Sequence, residues 1–84
     1  MKKIIIIGAG AMGSAFAVPC IDNKNDVTIV GTHLEDDLID SINSNKHFHP
    51  ALKTQLPNEI KFASFNKLQS ILQKDIDLIV AGIS

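Results

Sequence analysis

Residues 4–7 place four isoleucines in an unbroken run that stops at Gly8. Continuous β-branched character predicts a strand covered on both faces. After the glycines the pattern changes to helical spacing over residues 11–21, with Met12, Ala15, Phe16 and Cys20 expected on one buried face. Pro19 removes a backbone donor there, so the last turn is expected to bend or loosen. The segment DNKND turns the chain into a second strand, residues 27–30, which ends at Gly31. THLEDDLIDSI predicts a second helix, with Thr32 and Glu35 as a capping box and Leu34, Leu38, Ile39 and Ile42 as its apolar stripe. Residues 43–58 are polar and punctuated by prolines, and predict a surface connection. A short strand over 59–63, an amphipathic helix in NKLQSILQ opened by Asn66 and closed by Lys74 and Asp75, and an apolar strand over 78–83 complete the pattern.

No charged side chain occurs from Ile4 to Ile21, and Lys2 and Lys3 stand ahead of the run. This resembles an export signal, but a spanning helix needs about 20 predominantly apolar residues, and this run is broken by Gly8, Gly10, Gly13 and Pro19. The abrupt change from isoleucines to glycines marks a strand meeting a turn. The spacing Gly8, Gly10, Gly13 is the G-x-G-x-x-G pattern. In a dinucleotide-binding βαβ unit the first glycine permits the tight turn, the second lets backbone approach the pyrophosphate, and the third lets helix and strand pack closely. The helix beginning near Ala11 directs its free N–H groups at the phosphates, with no basic side chain required.

The fold class that follows is α/β: an incomplete, Rossmann-type doubly wound parallel sheet with element order βαβαβαβ and strand order 3-2-1-4. The 84 residues carry a net charge of −1 with both signs mixed, so nothing electrostatic favours nucleic acid or an anionic membrane. The single Cys20 cannot form an intrachain disulfide and reads as a small apolar residue, which makes the cytoplasm the default compartment. Glu35, Asp36 and Asp37 read as a solvated first helical turn. His47 and His49 lack the further ligands a zinc site needs, so they read as loop residues and no metal is expected. An apolar strand ending the sequence would leave an edge open to self-association, and residues 1–84 therefore read as the front part of a longer protein or a shortened form of one.

IIIIGAGAMGSAFAVP, DVTIVGTHLEDDLIDSI, HPALKTQLPNEIKF and DLIVAGIS together resemble the N-terminal portion of NAD(P)-dependent glycerol-3-phosphate dehydrogenase. The Leu56-Pro57 pair and the Asn-Glu-Ile-Lys approach to the third strand are more particular than the glycine turn. The resemblance implies hydride transfer between NAD or NADP and C2 of glycerol 3-phosphate, giving or consuming dihydroxyacetone phosphate for lipid backbone synthesis. It implies that residues 1–84 are the N-terminal part of the dinucleotide-binding domain, with the substrate and catalytic part absent. No catalytic residue is expected here, and the chain alone is expected to be inactive.

Carried over by position, Gly8, Ala9, Gly10, Ala11, Met12 and Gly13 match the family's pyrophosphate turn, and Thr32 and His33 match positions that meet the adenosine ribose. Thr32 is neither the acid that marks NAD nor the base that marks NADP. His33 suits either a 2′-phosphate contact or plain solvent exposure, the latter being preferred. Glu35 lies slightly late for the ribose, and the want of arginine leaves a lean to NAD. Gly82, Ile83 and Ser84 are expected to line the nicotinamide side. The rival readings are a fragment of another 6-phosphogluconate-dehydrogenase-like reductase, a stand-alone dinucleotide-binding module, and an interaction protein without nucleotide. The last gives no reason for three spaced glycines.

Overall fold

The computed structural model of the protein describes residues 2–73 and 75–81, apart from the side chain of Met12. Along the chain run β1 (Lys3–Ile7), α1 (Ala11–Asp22), β2 (Asp26–Val30), α2 (Asp36–Ser44), a hairpin of β3 (Phe48–His49) and β4 (Thr54–Gln55), then β5 (Lys61–Ala63). A 3-10 turn (Phe65–Lys67) leads into α3 (Leu68–Leu72), and β6 (Leu78–Ala81) follows. The expectations placed on Lys74 and on residues 82–84 lie outside the described residues.

The main sheet has the order β5-β2-β1-β6, all parallel. Numbering only its own strands along the chain gives three, two, one, four, as expected. The detail that differs is the inserted hairpin, in which Phe48 pairs with Gln55 and His49 with Thr54 in antiparallel register. Parallel pairing in register, Ile7 opposite Val30 and Ala81, Val30 opposite Ala63, brings every strand's carboxyl end to one edge. Strand order reverses direction at β1, so the turn after Ile7 sits at the switch point.

The isoleucine run is central because it is covered on both faces. Ile4, Ile5 and Ile6 are buried together with Val27, Ile29 and Val30 of β2, Ile39 and Ile42 of α2, and Leu56, Ile60 and Phe62. Fully burying such a side chain contributes about 1.5–3 kcal/mol each, so β1 and β2 carry much of the fold. β6 forms the far edge, with Leu78 and Ile79 about half exposed.

Four local expectations are corrected. On α1 the buried residues are Gly13, Ser14 and Ala17, with Val18, Cys20 and Ile21 partly buried, while Ala15 is exposed and Phe16 is 45% exposed. The fully buried positions of α1 are thus small residues, with Ala17 in the core cluster and Val18, Cys20 and Ile21 packed against it. The side chain of Met12 lies outside the described residues. The helix runs through Pro19 to Asp22, within one residue of its expected end.

Second, α2 starts at Asp36, four residues after the expected cap, and Thr32 makes no side-chain cap. Residues 32–35 form a turn instead, closed by Glu35 N–H donating to the Thr32 carbonyl at 2.9 Å. Leu34 consequently leaves the apolar stripe and stands 84% exposed. Third, the 43–58 connection is not a plain surface loop. Leu56 N–H donates to the His47 carbonyl at 2.8 Å, and His49 and Leu56 are buried. Asn66 likewise opens no helix by capping; it accepts from Ser64 Oγ at 2.6 Å inside the 3-10 turn.

Gly31, read from sequence only as the end of a strand, is closely confined. A Cβ there would stand 2.7 Å from Ile39 Cγ1 and 3.3 Å from Glu35 Cβ, and Ile39 is itself 2% exposed. Gly31→Ala is therefore expected to overpack the β2–α2 junction and lower stability by about 1–3 kcal/mol, measured by urea unfolding.

Candidate functional site

The carboxyl edge of the sheet gathers the turn after β1, the turn after β2 and the segment after β5. Two backbone bonds stitch these together: Gly8 N–H donates to the Val30 carbonyl at 2.7 Å, and Gly31 N–H donates to the Ala63 carbonyl at 3.0 Å. Ligands of open parallel sheets collect along such an edge, at the switch point.

Gly8 has φ = 110°, a conformation L side chains rarely adopt, so the tight turn read from the sequence does depend on glycine there. Gly10 caps α1 with φ = −65° and ψ = 179°, which any residue adopts. The lack of a side chain at Gly10 is thus not demanded by its own backbone. The first intrahelical bond runs from Ser14 N–H to the Gly10 carbonyl at 3.0 Å, which leaves the N–H groups of Ala11, Met12 and Gly13 without helical acceptors. No side chain caps the helix and no acid occupies its first turn, so its positive end stays available to an anion.

Ala9, at the centre of this turn, is fully buried, and side chains from three elements hold its backbone. Its N–H donates to Glu35 Oε1 at 2.9 Å. Its carbonyl accepts from Ser14 Oγ at 3.1 Å and from His49 Nε2 at 2.8 Å. The same Glu35 oxygen accepts from Thr32 N–H at 2.8 Å, which is the reciprocal half of the expected capping box without the half supplied by threonine. Glu35 is therefore not part of a solvated first turn. That description fits Asp36 and Asp37, both exposed at the start of α2.

The two loop histidines also leave their expected setting. His47, at φ = 65°, places Nε2 2.8 Å from the Ile60 carbonyl and packs edge-on against Phe62 with ring centroids 5.2 Å apart. His49 is 0% exposed. Leu52 N–H donates to its Nδ1 at 3.3 Å, so Nε2 carries the proton that the Ala9 carbonyl receives. Each imidazole thus joins the hairpin to a backbone carbonyl 13 or 40 residues away. Among the described residues no cluster of three His, Cys, Asp or Glu is placed to hold a metal, and no helix is long and apolar enough to cross a membrane.

Of the predicted cofactor positions, Gly8 to Gly13 form one turn, and Thr32 joins them through Glu35. His33 sits apart, exposed, with its ring 5.9 Å from Phe65 in an edge-on contact at the end of β5. Phe65 also lines a shallow pocket of about 320 Å³ with Asn66, Leu68, Gln69 and Leu72, which contains none of the predicted positions. Sequence reasoning missed His49, Ser14 and Phe65 and underrated Glu35. A capping-box spacing flagged Glu35, but nothing in the local sequence flags a contact between residues 9 and 49.

Residues 3–84 match the family described as NAD-dependent glycerol-3-phosphate dehydrogenase N-terminus. The chain is 36% identical over 81 residues to the NADP(+)-dependent glycerol-3-phosphate dehydrogenase of Archaeoglobus fulgidus, covering 96% of this chain and 23% of that protein. It is 39% identical over 75 residues to the glycerol-3-phosphate dehydrogenase [NAD(P)+] of Bacillus cytotoxicus, covering 86% and 20% respectively. It is 42% identical over 62 residues to that of Bacillus pumilus, covering 73% and 17%. The chain thus spans about a fifth of the length of these relatives.

Glu35→Ala would leave the buried Ala9 N–H without its acceptor. The expected loss is about 1–3 kcal/mol in chemical denaturation, with faster amide exchange at Ala9, against a change within about 0.5 kcal/mol for Asp36→Ala on the exposed side.

Proposed function

The chain belongs to the NAD-dependent glycerol-3-phosphate dehydrogenase N-terminal family, and from that premise we propose that residues 1–84 are the cofactor-binding front of a cytoplasmic enzyme interconverting sn-glycerol 3-phosphate and dihydroxyacetone phosphate. The observation that carries this reading is the glycine turn at the switch point, where Gly8 takes φ = 110° and three helix-start amides have no helical acceptor. Gly8, Ala9, Gly10, Ala11, Met12 and Gly13 receive the pyrophosphate of NAD or NADP, chiefly through main-chain N–H groups and the dipole of α1. The bound nicotinamide supplies the hydride chemistry. This chain's own part is to bind and orient the dinucleotide.

Thr32, His33 and Glu35 take the adenosine end, at the carboxyl end of β2. The edge-on His33–Phe65 pair offers an aromatic surface to the adenine ring. Glu35 gives the lean to NAD a physical basis, because a 2′-phosphate brought beside its carboxylate would meet like charge. A stand-alone nucleotide-binding module is the second reading, and the φ of Gly8 favours it equally. Isothermal titration that finds tight NADH binding by this chain in a monomeric state would support the module.

Gly10 separates a ligand role from a structural one, since its backbone accepts any residue. Gly10→Val should fold with a loss of about 1 kcal/mol, valine being a poorer N-cap than glycine, while NADH affinity falls by about tenfold or more. Undiminished affinity would remove the pyrophosphate from this turn. In parallel titrations the native chain should prefer NADH to NADPH, and Glu35→Gln should narrow that preference by a few-fold, roughly 0.5–1 kcal/mol. A native preference for NADPH would overturn the assignment to Glu35.

A further inference from the structure

We propose that His49 is a positioning residue for the dinucleotide turn: buried beneath it, its Nε2–H holds the Ala9 carbonyl inward and thereby turns the Gly10 amide outward toward the cofactor phosphates. The proposal rests on the dinucleotide reading above. Its geometry begins with the trans peptide between Ala9 and Gly10, in which the C=O and the N–H point in opposite directions. Ala9 is 0% exposed and its carbonyl faces His49 Nε2 at 2.8 Å and Ser14 Oγ at 3.1 Å. With the oxygen drawn to the buried side, the Gly10 N–H is presented on the other side, where α1 begins.

His49 is suited to this task in a way Ser14 is not. The Ser14 hydroxyl rotates, and it lies in the helix that the turn itself starts. The imidazole of His49 is rigid, has no exposure, and is fixed at its second nitrogen by the Leu52 N–H at 3.3 Å. Its tautomer is therefore dictated by the hairpin, so that a donor stands permanently under Ala9. Glu35 completes the restraint from the opposite side by accepting the Ala9 N–H at 2.9 Å. A glycine turn with one residue in the left-handed region is free to flip its neighbouring peptides; two bonds on the Ala9 carbonyl and one on its amide select a single orientation before any ligand arrives. Preorganisation of this kind raises affinity by removing an ordering cost from binding.

The test uses the 84-residue chain, labelled with nitrogen-15 and titrated with NADH, in native, His49→Leu and His49→Gln forms. Leucine fills the space without a donor, whereas the glutamine amide returns a donor near the Nε2 position. The expected result is saturable binding by the native chain, about tenfold or more weakening in His49→Leu with a displaced Gly10 amide resonance, and recovery to within about threefold in His49→Gln. A folded His49→Leu chain that binds NADH as the native chain does, with Gly10 unmoved, overturns the proposal and leaves the dinucleotide reading standing. Absence of binding by the folded native chain overturns both. Should His49→Leu fail to fold, the native imidazole decides: its proton is expected on Nε2, with both ring nitrogen resonances shifting as NADH saturates. A proton on Nδ1, or ring resonances indifferent to NADH, overturns the proposal.

Discussion

The carboxyl edge of the sheet is organised around the buried backbone of Ala9, whose amide and carbonyl are both held by side chains. Gly8 supplies the unusual φ that reverses the chain, but a permissive residue does not choose among the conformations it permits. The bonds that restrain it come from Glu35 on the amide of Ala9 and from Ser14 and His49 on its carbonyl. A buried peptide group must find partners or lose stability, and here the partners come from three separate segments. Satisfying one residue's hydrogen bonds therefore ties the glycine turn to the β2–α2 junction and to the β3–β4 hairpin.

The parallel sheet makes this convergence possible. Register between β1, β2 and β5 brings their carboxyl ends level, so the loops that follow each strand meet along one edge. Gly31 matters for the same reason. With no side chain it lets Ile39 of α2 close over the end of β2, which carries Glu35 to the glycine turn. The hairpin reaches the turn from another direction, pinned at His47 to the Ile60 carbonyl and at Leu56 to the His47 carbonyl.

Much of the architecture was legible because it rests on local, repetitive signals. Four β-branched residues, a glycine spacing and a final apolar run place β1, the first turn and β6, and right-handed crossovers then leave little freedom in strand order. The errors have a common origin. Ala15 and Phe16 are expected on the buried face of α1 from hydrophobicity, whereas both are exposed and Gly13, Ser14 and Ala17 are buried, with Cys20 packed partly against the core. His49 and Glu35 were read as solvated because polar side chains usually are, and each is drawn inward by a backbone group needing a partner.

By itself the sequence determined the four strands of the parallel sheet and the position of the tight turn, since strand periodicity and glycine spacing are written in neighbouring residues. Only the tertiary structure decided which side chains stand behind the turn. Those contacts join residues 26 and 40 positions apart, and they form because a buried amide and a buried carbonyl require partners. No periodic pattern along the chain records which distant histidine or glutamate will answer that requirement.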